Sequence, residues 1–227
     1  AVKSLLSRDA AEAQRVVADD RKIDTLEIEV EEAVTNLLAL HQPVARDLRL
    51  ILSALKIAND LERVGDHAVN IAQSAERLIA YRMITPEPEL VEMARLAGGM
   101  LSDSLSAFVR GDAPLGRQVC ARDDQVDALN DSMFRVLITH MAEDPHTIGA
   151  AMELFLVSRN LERVADLATN VAETSVTVEG VTGAHRGSPA DLGRSPPDGG
   201  SSSSPLKPSM VSSTWALGDQ PTLFGYA

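Results

Sequence analysis

The chain has 227 residues, of which 44% are hydrophobic and only 3% aromatic, and its formal net charge is −12. This acidic balance argues against a nucleic-acid-binding protein, because phosphate contacts need clustered Lys and Arg, and it permits a cation as partner. The single cysteine, Cys120, excludes an internal disulfide. With no signal peptide and no run of about 18 apolar residues, we expect a soluble, cytoplasmic protein without membrane insertion.

Small aliphatic residues together with Glu, Asp and Arg favour helix over sheet, so we predict an all-α fold. The first predicted helix covers about 9–40 and begins after Asp9, a suitable N-cap. A turn containing a proline, HQPVAR at 41–46, separates it from a second long helix at about 47–82.

The same arrangement of helices is then repeated in the second part of the sequence. Its predicted helices cover about 88–110, 112–142 and 147–176. Asp112 is the predicted N-cap of the middle helix, Pro114 lies in its first turn, and EDPH at 143–146 forms the turn that follows. The two copies are offset by 103 residues before the turns and by 100 after them. The repeat therefore differs in length only at the turn.

This duplication predicts two tandem antiparallel three-helix bundles, at 1–83 and 88–176, joined by a linker at 84–87. Only AVKSLLSR precedes Asp9, so the first repeat is missing most of its first helix. We expect this shortened bundle to leave an apolar groove that a partner chain can cover. From residue 177 to 227 the chain is rich in Gly and Pro without a helical period, which predicts a disordered tail.

Acidic side chains interrupt the apolar rows of the long helices. Residues 60–72, DLERVGDHAVNIA, recur at 160–172 as NLERVADLATNVA, with eight of thirteen letters unchanged. Each copy holds an acidic residue four positions before an aspartate, once in each of its two longest helices. The four pairs are Asp20 with Asp24, Glu62 with Asp66, Asp123 with Asp127, and Glu162 with Asp166.

The pairs also lie at matching heights. Asp24 precedes Pro43 by 19 residues and Glu62 follows it by 19, while the two distances from the second turn proline are 18 and 17 residues. If each turn joins antiparallel helices, both pairs of a copy lie about 27 Å from the turn, at 1.5 Å per residue. We therefore expect four carboxylates to converge in each copy.

Such clusters are unfavourable unless raised carboxyl pKa values, salt bridges or cations compensate. Arg63 and Arg163 stand beside the glutamates, but adjacent helical positions point about 100° apart. We expect each arginine to reach sideways rather than into its own pair. Hard cations suit all-oxygen sites, so the eight carboxylates predict bound Fe, Mn or Mg.

The alternative interpretation is that the acidic residues form a solvent-exposed helix surface, as a single acidic pair usually does. The duplication and the matching heights favour a metal site. Asn70 and Asn170, one turn beyond the aspartates, can serve as oxygen ligands or bridge helices by hydrogen bonds, and we expect the bridge. His67 has no equivalent, because Leu167 replaces it, and is predicted to be incidental. Cys120 is predicted to be a packing residue.

The strings LERVGDHAVNIA and LERVADLATNVA, with HQPVARDLRLILSALK and MAEDPHTIGAAMELFLVSRN before them, resemble the two repeats of the PhoU family. The resemblance covers about residues 8 to 176. It implies two three-helix bundles, dimers or higher oligomers, and metal clusters at the eight acidic positions, since the family's (Glu/Asp)-x-x-x-Asp motifs bind metals in some members. The missing first helix and the tail depart from the family pattern.

The resemblance also implies a regulatory role. Such proteins couple the phosphate ABC transporter to a sensor histidine kinase and keep the phosphate-starvation response off when phosphate is plentiful. Two alternatives are a helical scaffold without metal and a ferritin-like di-metal oxidase. The oxidase needs two Glu-x-x-His motifs in a bundle core. The only such string begins at Glu143 and contains Pro145, which places it in a turn, so no enzyme is predicted.

Overall fold

The computed structural model describes residues 1–81 and 88–184, and helices joined by short turns make up these ranges. The helices are α1 (Val2–Ser7), α2 (Ala10–His41), α3 (Ala45–Ile79), α4 (Pro88–Arg110), α5 (Ala113–Cys120), α6 (Asp123–Glu143) and α7 (Ile148–Ala184). A single 3-10 turn, Pro145–Thr147, separates α6 from α7. The described residues contain no strand, so the all-α prediction is confirmed.

Aspartate side chains begin the equivalent helices of both repeats, as the sequence predicts. The carboxylate of Asp9 accepts hydrogen bonds from the backbone N–H groups of Ala11 and Glu12 at 2.9 and 3.1 Å. Asp112 accepts one from Leu115 at 3.0 Å. Each cap satisfies backbone donors that have no partner within the first helical turn.

Two predicted helix boundaries are wrong. The predicted helix at 112–142 divides at residues 121–122 into α5 and α6. Gly116 fits α5 tightly against α7, because a Cβ atom at this position would lie 3.0 Å from the carbonyl oxygen of Ala172. Arg122 is tied to Asp103 of α4 by a 2.7 Å salt bridge. These contacts hold α5 apart from α6, and Asp123 becomes the first residue of α6.

The second correction concerns the end of α7. This helix continues to Ala184, so residues 177–184 are helical and do not belong to the predicted tail. The rest of that predicted tail, residues 185–227, lies outside the described residues. So does the predicted linker at 84–87.

The two repeats share one hydrophobic core. In the second repeat α4 packs along α7 and α6 and buries Leu90, Met93 and Met100. The same cluster of buried side chains continues into α3 and α1 of the first repeat, where it includes Ile71 and Leu5. α3 and α7 therefore form the central pair of helices.

Two polar contacts show that α3 and α7 run antiparallel. Nδ1 of His67 lies 2.9 Å from Oδ1 of Asn160. Ten residues further along α3, Nε of Arg77 donates to Oε1 of Glu153 at 2.8 Å. The acidic side chains of both repeats are carried on this central pair and on the helices that precede each member, α2 and α6.

Both repeats leave apolar side chains exposed on their hairpins, so this exposure does not depend on the short first helix, and the predicted apolar groove stays a prediction. α1 has six residues, whereas its counterpart α4 has 23. On the hairpin of α2 and α3, Leu26, Leu40, Val44 and Leu52 are exposed, Leu40 by 77%. None of the helices in the described ranges combines the length and apolar character needed to cross a lipid bilayer.

Candidate metal centres

The first acidic cluster lies between α2 and α3 and consists of Asp20, Asp24, Glu62 and Asp66. Burial raises the pKa of Glu62, and repulsion from Asp66, Glu27, Asp24 and Asp20 raises it further. Burial likewise raises the pKa of Asp20, with added repulsion from Asp24 and Asp66. Mutual repulsion of this kind requires the carboxylates of the two helices to lie close together, as their matching heights predict.

Glu27 is an additional member that the sequence argument did not select. It lies on the same helical row as Asp20, two turns further along α2, and it acts on Glu62. The repeat offset of 103 places Asn130 at the equivalent position of α6. Oδ1 of this buried asparagine accepts a hydrogen bond from the Ser158 hydroxyl at 3.0 Å. At this position the first cluster has an acidic neighbour where the second has a neutral amide.

The second acidic cluster consists of Asp123, Asp127, Glu162 and Asp166, on α6 and α7. Burial is the main cause that raises the pKa of Asp123, and repulsion from Asp127 and Asp166 raises it further. A hydrogen bond from the Thr169 hydroxyl lowers this pKa by a smaller amount. Burial also raises the pKa of Asp127, with repulsion from Asp166 next in size. The pKa of Glu162 is raised by burial, although the nearby Arg159 opposes this shift.

Arginines reduce the charge of the second cluster only. Arg159 forms an ion pair with Glu162, and Nη1 of Arg163 lies 3.0 Å from Oδ2 of Asp166. The prediction that Arg163 reaches sideways is thus wrong, because three residues along a helix bring side chains to the same face. Arg63 instead faces Asp60, with 3.6 Å between Nη1 and Oδ1.

The first cluster has no such compensation. The position equivalent to Arg159 is Asn59, and every charge that shifts the pKa of Asp20 or Glu62 is negative. In the second repeat the start of α6 also favours the negative charge of the cluster. The free N–H groups of a first helical turn favour an anion, and Asp123 stands there, whereas Asp20 lies in the interior of α2.

The clusters fit a cation chemically but do not form a finished coordination sphere. Within the described ranges, no group of three or more His, Cys, Asp or Glu side chains is already placed to hold a metal ion. Oδ1 of Asp123 and Oγ1 of Thr169 are nevertheless both buried, with the Thr169 hydroxyl close enough to act on the Asp123 carboxyl. Hard oxygen donors of this kind are the ligands that Mg²⁺, Mn²⁺ and Fe³⁺ prefer. Metal binding at the eight carboxylates stays a prediction.

Four further residues near the clusters behave in different ways. In the described part of the chain neither the Asn70 nor the Asn170 side chain bridges two helices by a hydrogen bond, so that prediction is wrong. His67, predicted to be incidental, joins α3 to α7 through Asn160. Cys120 packs partly buried against the core, and burial raises the pKa of its thiol, which agrees with a packing residue.

Comparisons with known proteins cover both repeats. Curated relatives named phosphate-specific transport system accessory protein PhoU homolog are 42% identical in Caulobacter vibrioides and 39% identical in Aquifex aeolicus. These matches span 76% and 72% of this chain, and 75% and 74% of the relatives.

Solved structures give the same result. The crystal structure of PhoU from Pseudomonas aeruginosa superposes with a TM-score of 0.76 at 34% identity, covering 79% of this chain and 86% of that one. The phosphate transport system regulatory protein PhoU from Streptococcus pneumoniae gives 0.73 at 29% identity, with 78% and 84% covered. The PhoU domain family matches residues 1–75 and 90–175. Both repeats that carry the acidic clusters are matched, and the chain belongs to the PhoU family.

Proposed function

We propose that this protein is a regulatory accessory subunit of a phosphate transport system. It couples the phosphate ABC transporter to a sensor histidine kinase, restrains uptake and keeps the phosphate-starvation response off when phosphate is plentiful. The observation that carries the proposal is the match of both repeats to proteins named as accessory proteins of that transport system. The helical adaptor fold of the solved relatives supports it.

The eight clustered carboxylates act in this proposal as cation sites. A bound Fe, Mn or Mg ion supplies positive charge that relieves the repulsion within each cluster and ties α2 to α3 and α6 to α7. Asp20, Asp24, Glu62 and Asp66 hold it in the first repeat. Asp123, Asp127, Glu162 and Asp166 hold it in the second. Support comes from the raised carboxyl pKa values and from the buried Oδ1 of Asp123.

The protein acts without catalysis and in the cytoplasm. The single Glu-x-x-His string ends at His146 in the 3-10 turn and not in a bundle core, which disfavours a di-metal oxidase. The proposal includes a homodimer or higher oligomer, and the exposed apolar side chains of Leu26, Leu40 and Val44 on the first hairpin support it. A helical scaffold without metal is the second candidate, favoured by the absence of a finished coordination sphere among the described residues.

A reporter of the phosphate-starvation response tests the regulatory role. Deleting the gene is expected to switch the reporter on in phosphate-rich medium, and the wild-type gene is expected to switch it off again. An unchanged reporter after deletion would remove the regulatory assignment. Complementation by a variant with Glu62→Gln, Asp66→Asn, Glu162→Gln and Asp166→Asn separates the two candidates. Full repression by that variant favours the metal-free scaffold.

A further inference from the structure

An apolar strip lies on the surface of the second hairpin, which α6 and α7 form. Its members are large apolar side chains that are each between 41% and 48% exposed, namely Phe134, Ile138, Ile148, Met152 and Leu156. On each helix successive members are four residues apart, so they follow one side of that helix. The rings of Phe134 and Phe155, with centroids 5.4 Å apart, bring the two rows side by side. The strip is therefore one surface shared by both helices.

This strip belongs to the second repeat and not to the repeated fold. The first repeat has polar residues at the positions equivalent to Phe134, Ile138 and Leu156, and these are Glu31, Thr35 and Lys56. The first hairpin forms without apolar side chains at these three positions, so packing of a hairpin does not require them. An exposed apolar patch, unlike a single exposed apolar residue, marks an interaction site.

The same chain contains a segment suited to cover the strip. Residues 215–226 lie outside the described residues, and their sequence is WALGDQPTLFGY. They include three of the chain's seven aromatic residues and a single charged residue, Asp219. Residues 185–214, which connect them to α7, are mainly Gly, Pro, Ser and charged residues. Large apolar side chains are thus concentrated in 215–226.

The connecting stretch is long enough to bring this segment to the strip. α7 ends at Ala184, 32 residues beyond Met152, so the helix separates these two residues by about 48 Å at 1.5 Å per residue. The 31 residues from Ala184 to Trp215 span up to about 100 Å when extended. The segment therefore reaches the strip of its own molecule.

Apolar contact, charge and covalent attachment favour this segment over a second copy of the chain. Aromatic side chains remove a large apolar area from water when they pack against aliphatic groups. The net charge of the chain is −12, and the segment contributes only Asp219 to it. The segment therefore meets less repulsion at the hairpin than another acidic chain does. Because it belongs to the same molecule, its docking also needs no association of two molecules.

We propose that residues 215–226 pack against the apolar strip of their own molecule through Trp215, Phe224 and Tyr226. The docked segment covers the second hairpin, and its release exposes the strip to another protein. The inference does not rest on the proposed role in phosphate transport or on the cation sites, so its failure leaves both unaffected.

The fluorescence of Trp215 in the full chain tests the proposal, because it is the single tryptophan. Its emission is expected at a shorter wavelength than in urea, with weaker quenching by acrylamide. Met152→Glu places a charge in the strip and is expected to shift the emission towards the wavelength in urea. Leu156→Lys makes the strip resemble the first hairpin and is expected to lower the ratio of docked to free segment about tenfold, since it removes one buried leucine.

Leu52→Glu is the matched control, because Leu52 is the equivalent of Met152 in the first repeat and is 47% exposed against 46%. It is expected to leave the emission of Trp215 unchanged. The same emission in Met152→Glu and Leu52→Glu would overturn the inference, as would a wild-type spectrum identical to that in urea. A short-wavelength emission that is lost on dilution would place the segment on a second copy and would also overturn it. Circular dichroism checks that the variants fold, and Leu156→Lys decides the outcome if Met152→Glu does not.

Discussion

Oδ1 of Asp20 on α2 lies 2.9 Å from the position that a Cβ atom would occupy at Gly65 on α3. The absence of a side chain at Gly65 therefore lets a carboxylate of one helix approach the backbone of the next. Ala165 stands at the equivalent position of the second repeat, where Asp123 lies at the start of α6. The two clusters thus share their pattern of acids but not their packing.

Gly65→Ala is expected to stabilise the protein less than Gly99→Ala. Alanine is favoured over glycine in a helix interior by up to about 1 kcal/mol. A Cβ at Gly99 meets no atom within 4 Å, so that variant gains the full benefit. A Cβ at Gly65 displaces Asp20 and also Ile23, whose Cδ1 lies 3.0 Å away. Urea denaturation of both variants measures the difference, and an equal or larger gain for Gly65→Ala would contradict this packing.

Without added metal, Glu62→Gln is expected to stabilise the protein and Glu162→Gln is not. Glutamine at 62 removes one of several repelling charges and raises the free energy of unfolding at pH 7 by about 0.5 kcal/mol. Glutamine at 162 also removes the ion pair with Arg159, so no stabilisation is expected there. Thermal unfolding in chelator compares the two variants. If Glu162→Gln stabilised the protein and Glu62→Gln left its stability unchanged, the second cluster and not the first would be the one with uncompensated negative charge.

The advantage of Glu62→Gln is expected to depend on pH. Because the folded pKa of Glu62 is raised, folding favours its protonated form. Its contribution to stability is therefore fully present below the unfolded pKa, near about 4.3, and is lost as pH rises through the folded pKa. The difference in unfolding free energy between Glu62→Gln and wild type should be smallest in acid and grow towards neutral pH. A constant difference across this range would contradict the raised pKa.

The contact between Arg77 and Glu153 is expected to stabilise the joint between the repeats. Nη2 of Arg77 also donates to Ser74 at 2.9 Å, and only 14% of the Glu153 side chain is exposed. Arg77→Met leaves a largely buried carboxylate without its partner and should cost about 1–3 kcal/mol. Arg15→Met removes an exposed ion pair and should cost close to nothing. Equal losses in urea denaturation would indicate that the inter-repeat contact contributes no specific stability.

The repeat, the helix caps and the heights of the acidic pairs were predictable because they depend on local spacing. Asp9 and Asp112 precede helices at fixed offsets, and a rise per residue is enough to bring Glu62 level with Asp24. The break after Cys120 was not predictable from the sequence, because it contains neither Pro nor Gly and depends on tertiary contacts. It follows from the close approach of Gly116 to α7 and the pairing of Arg122 with α4.

Long-range partners were also beyond sequence reasoning. His67 and Asn160 are 93 residues apart, and their contact depends on the antiparallel packing of α3 on α7. Arg159 is different, because its ion pair with Glu162 follows an ordinary spacing of three residues. A count of charges three and four positions from each glutamate would have found it. The same count leaves the first cluster without an arginine at the equivalent position, where Asn59 stands.

Titration of chelator-treated protein with Mn²⁺, followed by calorimetry, tests the central claim that the acidic clusters bind cations. Wild type is expected to take up Mn²⁺ saturably and to gain thermal stability. Combined Glu62→Gln and Asp66→Asn should remove the uptake of the first repeat, and Glu162→Gln with Asp166→Asn that of the second. Wild type that binds no Mn²⁺, Fe³⁺ or Mg²⁺ and unfolds at the same temperature with and without them would contradict the account.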